Sequence, residues 1–349
     1  MNKPGFSCFD DLQRPLRDLR ISVTDRCNMR CSYCMPREVF GRGFVFLRRA
    51  ELLSFEEITR LARQCVALGV RKIRLSGGEP LLRHGLERLV EMLAGLCDAE
   101  GKPVELAMTS NGVLLAKRAR ALKDAGLTRL NISLDALDDA VFRRMNGSGV
   151  PVAAVLEGIA AAQAAGLTPL KVNAVIRRGV NESEILPLVG HFRHTGINLR
   201  FIEYMDVGVT NGWRLDDVVT AKGTLTRIHA EYPLRPIAPR YPGEVAKRWE
   251  FLDGGGEIGV IASVTQVFCH ECSRLRLSVD GKLYTCLFAA EGDDLRGLLR
   301  AGGGESGNDE ALRQRIAALW TRRTDRYSQL RLAQTEMPRE KIEMSYIGG

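Results

Sequence analysis

An open, partial α/β barrel of six parallel strands, followed by a C-terminal α+β module, is the architecture this sequence predicts. Three observations predict it. Short β-rich runs alternate with helical patterns six times between residues 19 and 205, and strand–helix repetition of that kind builds parallel sheets with right-handed crossovers. Six units fall short of the eight that close a barrel. Past about residue 208 the rhythm gives way to a Gly/Pro-rich stretch, a hairpin signal and two or so helices. The expected divisions are an N-terminal extension over 1–17, the barrel over 18–208 and a module over 209–349 packed across the barrel's open side.

The strands are expected at LRISVT (19–24), VRKIRLS (70–76), VELAMTS (104–110), RLNISLD (129–135), PLKVNAVI (169–176) and NLRFIEYM (198–205). The first helix opens at SFEEITRLARQCVALG, where Ser54 and Glu57 form a capping box and Gly69 ends it. Later helices are expected in LLRHGLERLVEMLAGL, LLAKRARALKDAG, PVAAVLEGIAAAQAAG and ESEILPLVGHFRHTG. SVDGKLYTC reads as a hairpin, and AGGGESGND (301–309) as a flexible loop. Polar residues gather at strand ends: GGEP (77–80), TSNG (109–112), SLD (133–135) and EYM (203–205). In a barrel of parallel strands those ends share one face, which carries active sites.

Composition narrows the function. A chain of 349 residues with 45% hydrophobic and 26% charged residues is an ordinary globular protein. The N-terminus has no signal-peptide core, and the most apolar stretch is interrupted by Glu157 and Gln163, so neither export nor a membrane span is expected. The expected location is the cytoplasm, where nine cysteines point to metal ligation rather than disulfides. The net charge of +8 is spread without long runs. That fits a nucleic-acid partner and a generally cationic surface about equally, and the motifs below favour a third reading, a polyanionic small substrate.

Two cysteine sets carry the chemistry. Cys27, Cys31 and Cys34 stand in TDRCNMRCSYCMP, and Cys269, Cys272 and Cys286 in CHECSRLRLSVDGKLYTC. A structural zinc takes four protein ligands. Three closely spaced thiolates favour an iron–sulfur centre with one iron left for a ligand. Zinc stays open at both sets, with His270 as a fourth ligand at the second. Cys65 and Cys97 are expected on helices as inert core thiols, and Cys8 in a mobile N-terminus.

CNMRCSYC followed by GGEP resembles the radical S-adenosylmethionine (SAM) superfamily. With SRLRLSVDGKLYTCLF and a terminal SYIGG, the chain from about Arg17 onward resembles the branch that cyclises GTP at the start of molybdenum cofactor biosynthesis. The resemblance implies two [4Fe–4S] clusters, SAM as cofactor, and a lyase reaction giving 3′,8-cyclo-7,8-dihydro-GTP. It implies SAM contacts at Tyr33, Gly78, Ser133 and Met205, with Glu79 a further candidate for the SAM amino group. It places GTP at Arg20, Arg74, Thr109, Lys171, Arg274, Leu275 (mainly through its backbone) and Arg276, and brings Gly348 and Gly349 into the catalytic chamber. The glycines of GGEP are expected to let the backbone approach SAM. No nucleic-acid or membrane partner is expected, the assembly is a monomer or homodimer, and the electron donor is left open. The alternatives are another radical SAM enzyme with an auxiliary cluster, such as a peptide-modifying one, and a zinc-dependent nucleic-acid-binding protein.

Overall fold

The computed structural model describes residues 8–241, 243–301, 305–331 and 340–349. The N-terminal half alternates β1 (Asp18–Ser22), α1 (Phe55–Ala67), β2 (Lys72–Ser76), α2 (Leu86–Ala94), β3 (Glu105–Ser110), α3 (Leu115–Asp124), β4 (Arg129–Ser133), α4 (Asp139–Asn146), α5 (Val152–Ala164), β5 (Lys171–Ile176), α6 (Ile185–Phe192) and β6 (Asn198–Glu203). All six expected strands form within a few residues of their sequence limits. The capping box of α1 closes as expected: Glu57 N donates to Ser54 Oγ at 3.1 Å, and Ser54 N donates to Glu57 Oε2 at 2.7 Å. The helix then ends at Gly69, whose φ is 111°.

Sequence reading missed α4. It has only two turns and buries only Phe142, Met145 and Asn146, too short a stripe to show periodicity. Its start signal is real, since Val141 N donates to the Asp138 carboxylate at 2.8 Å.

The C-terminal region holds α7 (Ala221–Glu231), β7 (Leu234–Ile237), β8 (Lys247–Phe251), β9 (Glu257–Ile261), β10 (Arg274–Leu277), β11 (Lys282–Tyr284), β12 (Asp293–Asp294), α8 (Arg296–Arg300), α9 (Glu305–Thr321), α10 (Tyr327–Leu330) and α11 (Met344–Ile347). The expected hairpin is β10–β11, antiparallel. This region also does something the sequence did not suggest: it extends both edges of the sheet. The strand order is β12-β11-β10-β1-β2-β3-β4-β5-β6-β9-β8-β7, with β10 parallel to β1 and β9 parallel to β6. The outer edges of β1 and β6 would otherwise present unpaired N–H and C=O groups.

Three smaller expectations are corrected. Residues 305–309 of the supposed flexible loop open α9, while 302–304 lie outside the described residues. Cys97 is exposed and off any helix, whereas Cys65 is buried in α1. Cys8 is buried rather than mobile, because residues 8–17 pack under α9: Trp320 Nε1 donates to Arg14 O at 3.1 Å. Among the described residues no helix is long and apolar enough to cross a membrane.

Candidate active site: two thiol nests on one cavity

The barrel strands alternate with period two, as strands must. Their outer faces are apolar: Leu19 and Ile21, Ile73 and Leu75, Leu106 and Met108, Leu130 and Ile132 are all buried against the helices. Their inner faces are polar. Across β10, β1 and β2 the pairing sets Arg276 beside Arg20 and Arg20 beside Arg74, a row of three guanidiniums. The neighbouring row sets Arg274 beside Asp18 and Asp18 beside Lys72.

These side chains line one cavity of about 340 Å³, and both cysteine sets open onto it. Burial, then mutual repulsion, pulls the row down: Arg20 falls well below the usual guanidinium range, with Arg276 and Arg74 the next causes, and Arg276 falls to about 9. Arg74 Nη1 donates to Thr109 Oγ1 at 3.2 Å. Cations held this way are built for an anion. Lys171 is buried at the start of β5, on the strand face that Asn173 and Val175 present to the cavity. Its ammonium is driven to about 6 by burial and by Arg200, Arg129, Lys72 and Arg74. The Leu275 side chain packs in the core on the opposite face of β10 from Arg274 and Arg276, which leaves it only its backbone to offer, the contribution expected of it. Lys72, Arg200, Asn173 and Tyr241 also line the cavity and were missed. The alternation of Lys72 with Arg74 could have found Lys72.

The first nest is the loop after β1. Its backbone closes on itself, with Cys34 N donating to Cys31 O at 3.0 Å. The Arg30 guanidinium gathers the carbonyls of Cys27, Met29 and Phe40 at 2.7–2.8 Å. The GGEP turn braces the loop from below: Gly78 N donates to Thr24 O and Glu79 N to Arg26 O, both at 2.8 Å. A Cβ on Gly78 would fall on the Arg26 carbonyl. The glycine is therefore required for contact with the thiol loop itself, a demand separate from the expected approach to SAM. Glu79 is likewise occupied by protein. It accepts from Leu81 N, Ser110 Oγ and Asn111 N at 2.7–3.0 Å, and burial raises it to about 7.

Tyr33 and Ser133 line the cavity, as does Met205. Tyr33 donates its hydroxyl to Asp135 Oδ2 at 2.8 Å. Asp135 and Asn111, whose Nδ2 lies 3.9 Å from Cys27 Sγ, are polar residues of SLD and TSNG, the strand ends singled out above, though neither was given a role of its own. Burial, then Glu79, lifts Cys27 to about 11; burial, then Asp135, lifts Cys31 far above its usual range.

The second nest straddles the hairpin: Cys269 and Cys272 precede β10 and Cys286 follows β11. Arg274 Nη2 donates to Cys272 Sγ at 3.3 Å, and Arg323 Nη1 to Cys272 O at 2.6 Å. Arg14, ion-paired with buried Asp10 at 2.5 Å, donates to the carbonyls of Cys269 and Asp325, both at 2.8 Å. Burial would raise Cys272, but Arg274 and Arg323 outweigh it and bring it to about 6, whereas burial, then Asp325, raises Cys286 to about 11. Arg14 and Arg323 had no sequence signal. His270 is exposed and leans toward Glu271, away from the cavity.

All six thiols are free, and among the described residues no three His, Cys, Asp or Glu side chains are drawn together tightly enough for one metal ion. The six thiols line the cavity, and a cysteine donor set of this kind fits an iron–sulfur cluster.

The C-terminal segment reaches the same chamber. Lys341 pairs with Asp206 at 2.8 Å, and Val209 N donates to Glu343 at 3.0 Å. Gly349 lines the cavity, and Arg276 donates to the Gly348 carbonyl.

The radical SAM superfamily pattern matches residues 21–191, and the Molybdenum Cofactor Synthesis C pattern matches 197–329. GTP 3′,8-cyclase of Acidothermus cellulolyticus is 54% identical over 97% of this chain and 98% of its own length. The chain belongs to the GTP 3′,8-cyclase family. The Staphylococcus aureus (strain MRSA252) member is 48% identical over 97% of this chain and 98% of its own. Streptococcus suis SuiB bound to SAM shares the fold, with TM-score 0.59 and 14% identity over 87% of this chain and 68% of that one. SuiB bound to its precursor peptide SuiA gives 0.61 and 14% over 95% and 75%. Membership of the radical SAM superfamily carries SAM and an iron–sulfur cluster as cofactors.

Proposed function

We propose that this protein converts GTP to 3′,8-cyclo-7,8-dihydro-GTP in molybdenum cofactor biosynthesis, with one four-iron cluster in each thiol nest. The observation that carries this reading is the shared cavity. Two three-thiol nests and a row of buried guanidiniums face one chamber in a chain of this family.

Cys27, Cys31 and Cys34 would hold the cluster that binds SAM, with Tyr33, Gly78, Ser133 and Met205 around the SAM. Bound there, SAM and the reduced cluster supply a carbon radical able to take the hydrogen from C3′ of the GTP ribose. Arg20, Arg74, Arg276 and Lys171 are suited to the triphosphate, and Arg74 arrives already hydrogen-bonded to Thr109. Lys72 and Arg200 add charge to the same wall. The second nest, held in shape by Arg14, Arg274 and Arg323, is suited to the guanine end. With the nucleotide fixed at both ends, C3′ and C8 stay close while the ring closes, and such positioning is a large part of what a protein offers a reaction of this kind. Arg276 ties the chamber to the tail through the Gly348 carbonyl.

Anaerobic incubation of the iron-loaded protein with GTP, SAM and dithionite tests the reading by mass spectrometry. The expected products are 5′-deoxyadenosine and an isomer of GTP that has lost its purine absorbance. Stoichiometric zinc in place of iron, or no GTP-dependent 5′-deoxyadenosine, would overturn it.

A further inference from the structure

The reading above leaves unused the loop that follows the first nest. Residues 37–50 leave the nest after Pro36, and their tip is apolar and in the open: Val39, Phe44 and Val45 are 42%, 38% and 86% exposed. The tip is held in shape. Phe40, Phe44 and Phe46 contact one another with ring centroids 4.6 and 4.8 Å apart, and Leu47 N donates to Asp25 Oδ2 at 2.7 Å. Exposed arginines accompany it: Arg37, Arg42, Arg48 and Arg49 within the loop, and Arg26, whose guanidinium stands 5.4 Å over the Phe46 ring. Glu38 is the exposed acid of residues 37–50, and Glu51 is already paired with Arg48 at 3.1 Å. An apolar tip accompanied by one sign of charge is the make-up of a docking surface, not of an idle loop.

The loop is also wired to the thiols. One guanidinium, that of Arg30, donates to Phe40 O on the loop and to Cys27 O in the nest, each at 2.7 Å. Whatever sits on the loop is one side chain away from the backbone of a thiol ligand.

We propose that this face docks an acidic one-electron carrier protein, which passes its electron to the centre held by Cys27, Cys31 and Cys34. The inference rests on the proposed function to this extent: a centre that cleaves SAM by reduction must be re-reduced from outside. One electron leaves the reduced carrier and enters the centre; no atom or proton crosses the interface, and the carrier departs oxidised by one electron. These arginines steer an acidic partner into contact, and Val45 with Phe44 supplies the desolvated point that fixes it.

The test uses the iron-loaded full chain and the double variant Val45→Asp, Arg42→Glu, with reduced flavodoxin as the carrier probe and dithionite as the small-molecule control. In the wild type, flavodoxin should bind and reduce the first centre at a rate that falls steeply between about 50 mM and about 0.5 M salt. In the variant, flavodoxin affinity and flavodoxin-driven reduction should drop by about tenfold or more. Dithionite-driven reduction and 5′-deoxyadenosine formation should be unchanged. Undiminished flavodoxin binding and reduction in the variant would overturn the proposal. So would an equal loss with dithionite, which would make the loop part of the site. Self-association or RNA binding abolished by the same substitutions would reassign the face to a second copy or to nucleic acid. Failure of the dithionite-reduced wild type to cleave SAM would instead overturn the proposed function, and the binding arm would still report on the face.

Discussion

Cys27, Cys31 and Cys34 sit among carboxylates, whereas Cys272 sits among guanidiniums, although both nests offer three thiols to one cavity. The first nest is local. One loop carries all three thiols, the GGEP turn and Arg30 brace its backbone, and burial, followed by Glu79 at Cys27 and Asp135 at Cys31, raises its thiols. The second is assembled from afar: its shape depends on Arg14 and Arg323, from opposite ends of the chain, and its most acidic thiol lies beside Arg274. Three cysteines alone thus do not define a site; the charges behind them do. The contrast is sharpest at Cys272, because burial raises Cys286 of the same nest to about 11, with Asp325 adding to it.

The largest expected effect breaks the comparison outright if it fails. Cys31→Ser should remove about half the iron and abolish 5′-deoxyadenosine formation. Cys286→Ser should also remove about half the iron, keep measurable SAM cleavage and lose the cyclised nucleotide. Iron assay with product mass spectrometry reads both. If Cys286→Ser silences SAM cleavage as completely as Cys31→Ser, the two nests are not separate in function.

A second measurement reads the two fields directly. In the iron-free protein at pH 7, iodoacetamide should alkylate Cys272 faster than Cys27 by about tenfold or more, because the thiolate is the nucleophile. Arg323→Met should slow labelling of Cys272 and leave Cys27 as it was. Equal rates, followed by peptide mapping, would mean that the guanidiniums do not set the second nest apart.

The row of arginines between the nests gives a comparable effect on one ligand only. Arg20→Gln should weaken GTP binding by roughly 10- to 100-fold, on the scale of one charge-assisted hydrogen bond at about 1.5–3 kcal/mol. SAM affinity should stay within about twofold if the two ligands hold separate ends of the chamber. Equilibrium dialysis of each ligand decides it.

The smallest effect is in protons. Free Lys171 gives up its proton as pH rises through about 6, and a triphosphate beside it would restore the charge. Between that pH and the ordinary lysine range, GTP binding should take up as much as about one proton. Affinity should therefore fall as pH rises. Calorimetry in buffers of different ionisation heat measures the uptake, and Lys171→Met should remove it. Uptake that survives the substitution would place the titrating group elsewhere.

Much of this was legible in the sequence because it is local. Six strands followed from their apolar runs and flanking helices, and the first nest from the spacing of Cys27, Cys31 and Cys34. The inward placing of Arg20 and Arg74 follows from period two, since Leu19, Ile21, Ile73 and Leu75 claim the outer faces. The short helix α4 was lost because two turns carry too little periodicity. Leu275 was expected to offer mainly its backbone, and the alternation that turns Arg274 and Arg276 inward buries its side chain on the other face.

Tertiary structure alone decided the rest. Arg276 completes a row with Arg20 and Arg74 only because β10 pairs with β1, and Arg14 reaches Cys269 across 255 positions of chain. The GGEP glycines are needed because the thiol loop lies on them. Local sequence fixes which way a side chain faces along its own strand. Which strand comes to lie beside it is set by edge hydrogen bonds and burial that only the folded chain can satisfy.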